Sequence, residues 1–289
     1  MKPGDLLLAL LANTAWAFNF IVGKAGVSHF QPFLFTGLRF AVLLLVLLPF
    51  LRWLPGRMGG VLGIALVQGV IHFSLIFAGL EASGDIASVA IASQLYVPFS
   101  ALLAVMFLDE RLGRRRLLGM ASAFGGVLVI GLDPLVFNHL DALLLITAGA
   151  LAMAVATIQM RRLQGVGVLA LQGWIALCAT PALALLSLLF EDGQWAAVRS
   201  ATPWEWATPV YSALAASLIG HGIVYLLLGR YPVGVVTPLL LLSPVLAVVF
   251  GVLLWGDVLT WKLILGGILT LAGIAIITVP APRRVAPSG

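Results

Sequence analysis

The sequence predicts an all-α integral membrane protein: ten transmembrane helices in two inverted five-helix repeats, with both termini on the cytoplasmic side. Three observations predict it: an extreme apolar composition, ten apolar runs of spanning length, and basic residues that alternate between connectors. Of 289 residues, 62% are hydrophobic and only 9% are charged, and the mean hydropathy is +1.13. A water-soluble domain carries about a quarter charged residues, so most of this surface must face something other than water.

A spanning helix needs roughly 20 apolar residues to cross about 30 Å of hydrocarbon. Such runs fall at 5–23, 33–51, 60–80, 87–108, 115–132, 141–160, 167–189, 206–228, 233–255 and 261–279. Many are rich in Leu and Ala, and a helix satisfies its own backbone hydrogen bonds in lipid. Barrel strands would instead show short alternating segments. The first run follows Lys2 as a signal peptide would, but equally apolar runs come after it, so it reads as a retained first span.

Charge placement sets the orientation. With the amino terminus inside, Lys2, Arg52, Arg57, Arg111, Arg114, Arg115, Arg116, Arg161, Arg162, Arg230, Arg283 and Arg284 share the cytoplasmic side. Only Lys24, Arg199 and Lys262 fall opposite, where Glu81, Asp85, Asp133, Asp141, Glu191, Asp192, Glu205 and Asp257 also collect. That Lys/Arg bias is the positive-inside pattern, and it supports an even number of spans. Trp53, Trp195, Trp204, Trp206, Trp255 and Trp261 lie near span ends, as an interfacial aromatic belt requires. The net charge of +5 does not indicate nucleic acid, because the basic residues are spread over short connectors rather than one solvated face. Cys178 lies in an apolar run, and a single cysteine excludes a disulfide framework or a cysteine metal site.

The chain also resembles itself. Glu110, Leu112, Gly119 and Gly126 recur as Asp257, Leu259, Gly266 and Gly273, each 147 residues later. Pro98 in the fourth span matches Pro244 in the ninth, and His72 in the third answers His221 in the eighth. The expected division is 1–137 and 138–289, five spans each, the second half ending in a short cytoplasmic tail. An odd count inverts the second half in the membrane, an architecture that supports alternating access around a midplane site.

The first span reads Ala15-Trp16-Ala17-Phe18-Asn19-Phe20-Ile21-Val22-Gly23-Lys24, and the second carries Arg39 in Gly37-Leu38-Arg39-Phe40. The fourth ends Phe107-Leu108-Asp109-Glu110-Arg111-Leu112, followed by Gly119 and Gly126. In order and spacing these residues resemble the drug/metabolite transporter superfamily, its EamA-type ten-helix exporters and, among them, the YddG-like amino-acid exporters. The resemblance implies a central cavity lined chiefly by spans 1, 3, 4, 6, 8 and 9, with spans 5 and 10 packed behind. Met153 and Ala156 stand where the second half would repeat Trp16 and Asn19, which implies a chemically asymmetric cavity.

Within that frame the expected substrate-binding residues are Trp16, Asn19, His72, Phe73, Gln94, Tyr96, Gln159, His221, Tyr225 and Ser243. Gln68 and Ser74 are further deep polar groups, and Trp174 a further aromatic wall. Unpaired polar groups are expensive in hydrocarbon, so each faces either a cavity or another helix. A zwitterion needs acceptors for its ammonium and donors for its carboxylate, which amides and hydroxyls supply. The histidines could bind substrate, carry a coupling proton or hydrogen-bond a neighbouring helix. Arg39 could meet a carboxylate or line an entrance; alternatively it snorkels to the interface or holds a neighbouring helix in place. Pro98 and Pro244 break helix hydrogen bonds and could act as gates or passive bends. Gly119, Gly126, Gly266 and Gly273 lie on helix faces suited to close packing.

The expected function is export of small metabolites, aromatic and neutral amino acids foremost, by alternating access in a bacterial inner membrane. All carboxylates sit near span ends, which favours a facilitator over a proton-coupled pump. The alternatives are a proton-coupled drug efflux carrier and an intramembrane lipid-modifying enzyme; the latter lacks a nucleophile with its base. The expected partners are a small-molecule substrate and membrane lipid, around a monomer that holds no catalytic residue, cofactor, metal or nucleic acid.

Overall fold

The computed structural model describes residues 1–108, 113–163, 165–231, 236 and 239–278, and within them every side chain except those of Phe137, Tyr225, Leu228 and Thr278. Asp109, Glu110, Arg111, Leu112, Arg283 and Arg284, which enter the repeat and charge arguments, lie outside the described residues. So does the side chain of Tyr225.

Among the described residues the chain forms ten long helical segments. These are α1 (Pro3–Phe30), α2 (Pro32–Phe50), α3 (Met58–Ala82) and α4 (Ile86–Leu108), with α5 (Arg114–Gly131). The second half holds α6 (Leu140–Arg162) and α7 (Val168–Phe190). In α8, Pro203–Tyr211 continues through Ser212–Gly220 into His221–Arg230. It closes with α9 (Leu242–Trp255) and α10 (Trp261–Thr278). Seven of these (α1–α4 and α6–α8) are long and apolar enough to cross a membrane. Large side chains on the outer surface are apolar, Leu128 and Leu253 each about 70% exposed, and this surface suits lipid. All six tryptophans near the span ends are exposed.

The first helix departs from expectation: it runs to Phe30 rather than ending at residue 23 before Lys24. Lys24 is buried, and its Nζ donates to the carbonyls of Leu80 (2.6 Å), Glu81 (2.8 Å) and Ser83 (2.7 Å). Those carbonyls belong to the end of α3, where a helix has no acceptors' partners of its own and where its dipole favours a cation. A charge that looks like a stop in the sequence is therefore absorbed by a neighbouring helix end.

Carboxylates do the reverse job at helix starts. Asp257 Oδ2 accepts from the backbone N–H groups of Ile86 (2.9 Å) and Ala87 (2.8 Å) at the start of α4. Glu191 accepts from Phe33 (2.6 Å) and Leu34 (3.0 Å) at the start of α2. Thr202 and Glu205 form a capping box that opens α8. The acids that gather at one end of the bundle thus satisfy orphan N–H groups there.

Equivalent helices of the two halves pack in reciprocal pairs: α2 with α7, α4 with α9, α5 with α10, and α1 with α8 and α9 as α6 with α3 and α4. Gly119 lies against Gly273 and Gly126 against Gly266, so α5 and α10 run antiparallel. Gly37 lies against Leu183 and Gly173 against Leu47, so α2 and α7 do too. Helices equivalent in sequence but opposite in direction mean that the second half is inverted relative to the first. Small residues on the crossing faces let the backbones approach closely, and Ser122 Oγ bridges to the Leu269 carbonyl at 2.8 Å.

Candidate functional site

Midway along the bundle two pairs of irregularities break the helices, and the repeat relates the members of each pair. α3 is π-helical over Ala65–His72 and α8 over Ser212–Gly220, starting points that are again 147 residues apart. His72 closes the first π segment, and His221 follows the second immediately. A π segment widens the hydrogen-bond ladder to i→i+5 and recurs at functional sites. Here Ser217 Oγ donates back to the Ser212 carbonyl at 3.0 Å, five residues earlier.

The second pair lies in α4 and α9. α4 breaks at Gln94–Leu95 before resuming at Tyr96, and α9 opens beyond a turn at Leu240–Leu241. Pro98 and Pro244 each stand four residues after the first turn residue. A proline ring displaces the carbonyl at i−4, which explains why each break precedes its proline. The Gln94 carbonyl turns instead to Val97 N–H and the Leu240 carbonyl to Ser243 N–H, at 3.0 and 3.2 Å.

Side chains converge on these breaks. Trp16 Nε1 donates to the Ala216 carbonyl at 2.8 Å, and its ring meets His221 edge-on at 5.2 Å. Asn19 Oδ1 accepts from Ser212 Oγ at 2.6 Å, and Tyr211 donates to the Ala15 carbonyl at 3.2 Å. His72 Nδ1 lies 2.8 Å from the Gly149 carbonyl of α6, and His221 Nδ1 3.0 Å from the Ser217 carbonyl. A carbonyl only accepts, so each Nδ1 carries the proton, and in the neutral ring each Nε2 presents a lone pair. Phe73 stacks near-parallel on Phe77 and takes the edges of Phe40 and His72.

Arg39 sits among these groups rather than at the interface. It is 3% exposed, its Nη2 donates to Ser217 Oγ at 2.7 Å, and its guanidinium carbon stands 4.1 Å from the Phe73 ring centre. Trp16, Asn19, His72, Phe73, His221 and Arg39 therefore form one connected centre on α1, α2, α3 and α8. Gln94 and Tyr96, both half-buried, flank the α4 break, and Ser243 is buried at the α9 turn. Gln159 stands apart, near the end of α6 beside Gly63. Trp174 is also distant: it donates to the Arg52 carbonyl and belongs to the interfacial belt. The four glycines Gly119, Gly126, Gly266 and Gly273 occupy the α5–α10 crossing, away from this centre.

Three participants were not singled out from the sequence: Tyr211, Ser212 and Ser217. The available signal was two serines five residues apart in an apolar run, a spacing that suits a π turn and not an α turn.

The profile of the EamA-like transporter family matches residues 4–132 and again 140–279. The chain belongs to this family. As an EamA-like transporter it is an integral membrane protein, and its two matched stretches correspond to the two inverted sets of helices. It is similar to proteins named "Probable amino-acid metabolite efflux pump" in Salmonella typhimurium and in Escherichia coli, at 31% and 30% identity. Each alignment covers 96% of this chain and 95% of the relative. A crystal structure 21% identical in sequence superposes with a TM-score of 0.64 over 96% of this chain and 97% of that one. That likeness concerns the EamA-like fold.

Proposed function

We propose that this EamA-like transporter exports small amphipathic metabolites, aromatic and neutral amino acids foremost, by alternating access. The halves 1–137 and 138–289 rock about the α5–α10 contact and expose the centre to each side in turn. The protein works as a monomer in a bacterial plasma membrane, with both termini in the cytoplasm, and needs no cofactor.

One observation carries the reading: His72 closes one π segment and His221 directly follows its repeat-related counterpart, each with Nδ1 held by a backbone carbonyl, beside aromatic rings and a buried cation. A zwitterion with an apolar side chain finds an acceptor, a donor and a wall there. The names of the two relatives support the same substrate class. The enzyme alternative is weaker, because each histidine's Nδ1 is tied to a backbone carbonyl and no side-chain nucleophile is hydrogen-bonded to either ring among the described residues.

The test is counterflow of labelled phenylalanine, leucine and tryptophan in proteoliposomes of the purified protein. Saturable, trans-stimulated uptake is expected; hydrolysis or modification of lipid without counterflow would overturn the proposal.

A further inference from the structure

Arg39 raises a question that helix packing does not answer. Its guanidinium is enclosed, yet its Nε and Nη1 atoms, which carry most of its N–H groups, have no hydrogen-bond acceptor. Its one partner is the neutral hydroxyl of Ser217, and among the described residues no carboxylate pairs with it. An uncompensated charge at this depth is among the most expensive groups a membrane protein can hold. The rings of Phe73, Phe40 and Phe77 at 4.1, 5.4 and 5.6 Å offset part of that cost through their faces, but ring faces leave in-plane N–H groups unsatisfied. Buried donors without acceptors call for a group that is brought to them.

The surroundings indicate which group. Arg39 touches both π segments' surroundings: Phe73, under its guanidinium, adjoins His72, and Ser217, its hydrogen-bond partner, also gives its carbonyl to His221. The planar fork of a guanidinium matches a carboxylate in two parallel hydrogen bonds. The repeat supplies a contrast. The shift that carries Gly37 to Gly173 and Leu47 to Leu183 carries Arg39 to Ile175, which is buried against Gly69 within the π segment of α3. Packing at this position is thus met by a hydrocarbon side chain in one half, and the charge in the other answers a different need.

We propose that Arg39 is the carboxylate-binding residue of the transport site, holding the α-carboxylate of an amino-acid substrate while the histidine Nε2 atoms face its ammonium. This inference rests on the amino-acid reading above and fixes which end of the substrate is held where. The guanidinium is closed off in this conformation and meets substrate when the halves part.

The experiment compares phenylalanine with phenethylamine, the same molecule without its carboxylate, in counterflow by wild type, Arg39→Gln and Arg39→Lys. The expected result is a rise of roughly 10- to 100-fold in the apparent KM for phenylalanine in Arg39→Gln, the scale of a lost charge-assisted hydrogen-bond pair. Phenethylamine should change less than about twofold, and Arg39→Lys should fall between. An unchanged ratio of the two substrates in Arg39→Gln, whether both decline or neither, overturns the inference alone. Wild-type protein that carries no amino acid overturns the amino-acid reading and this inference together. Should the variants fail to fold, thermal unfolding of the wild type decides: stronger stabilisation by phenylalanine than by phenethylamine supports the inference, and equal stabilisation sinks it.

Discussion

Gly126 and Gly266 meet back to back where α5 crosses α10, and a Cβ built on either would stand 2.5 Å from the other's carbonyl oxygen. The repeat, which relates Gly126 to Gly273 and Gly266 to Gly119, repeats the contact where Gly119 meets Gly273. Side chains larger than hydrogen must push the helices apart at this point.

Gly266→Val is therefore expected to destabilise the protein by about 1–3 kcal/mol, the usual range for overpacking. Thermal unfolding in detergent measures this. Gly125→Ala, one position away and facing open space, is the matched control and should leave Tm nearly unchanged.

Lys24→Met should cost about 1–3 kcal/mol, because it strips three carbonyls at the end of α3 of their shared donor. The exposed Arg199→Met should shift stability by less than about 0.5 kcal/mol. Equal Tm values for the two variants would contradict the capping role of Lys24.

Asp257 provides a pH dependence. Burial pushes its carboxyl above the ordinary value of 3.8, outweighing the two backbone N–H groups and Lys24, which pull the other way. For an acid whose folded pKa is raised, the folded state holds the proton more tightly than the unfolded chain. That contribution is fully present below the unfolded pKa and is lost as pH rises through the folded one. Asp257→Asn keeps an oxygen for Ile86 and Ala87 but no longer titrates. The stability of wild type relative to Asp257→Asn is expected to fall as pH is raised from about 3.5 to 7, read as the difference in Tm.

The described carboxylates all lie at helix ends or in connectors, and none stands in the centre with Arg39, His72 and His221. Uptake into proteoliposomes should accordingly proceed down a solute gradient with no pH difference across the bilayer. A strict requirement for a proton gradient would refute uncoupled transport.

Orientation is open to a direct check. In a Cys178→Ser background, Asn138→Cys and Arg161→Cys place exposed thiols at opposite ends of α6. A membrane-impermeant maleimide added outside intact cells is expected to label the first and not the second.

Much of the architecture was legible in the sequence because hydropathy and charge are local signals. The span limits at Leu108, Gly131 and Phe190 fall within a residue of those expected. Lys24 misled by seven residues because its partners arrive from α3, more than fifty residues away. The prolines announced that α4 and α9 would bend, but the breaks lie upstream, where the ring strikes the preceding turn. At the centre, residue type identified Trp16, Asn19 and both histidines as polar or amphipathic groups at depth. Their arrangement was not legible, since it depends on π turns that no propensity encodes. Arg39 shows the limit most plainly: its sequence position fits snorkelling, and only its enclosure by Phe40, Phe73, Phe77 and Ser217 rules that out.

The self-complementary α5–α10 seam has a consequence for how such a chain diverges. In an assembly of two separate identical halves, any change beside the seam would appear on both sides at once, and an arginine at the position of Arg39 would appear twice. Joined in one polypeptide, the halves can keep the common seam while their interiors specialise independently. The charge of Arg39 opposite the hydrocarbon of Ile175 is that division of labour, retained in one chain behind a seam that still looks symmetric.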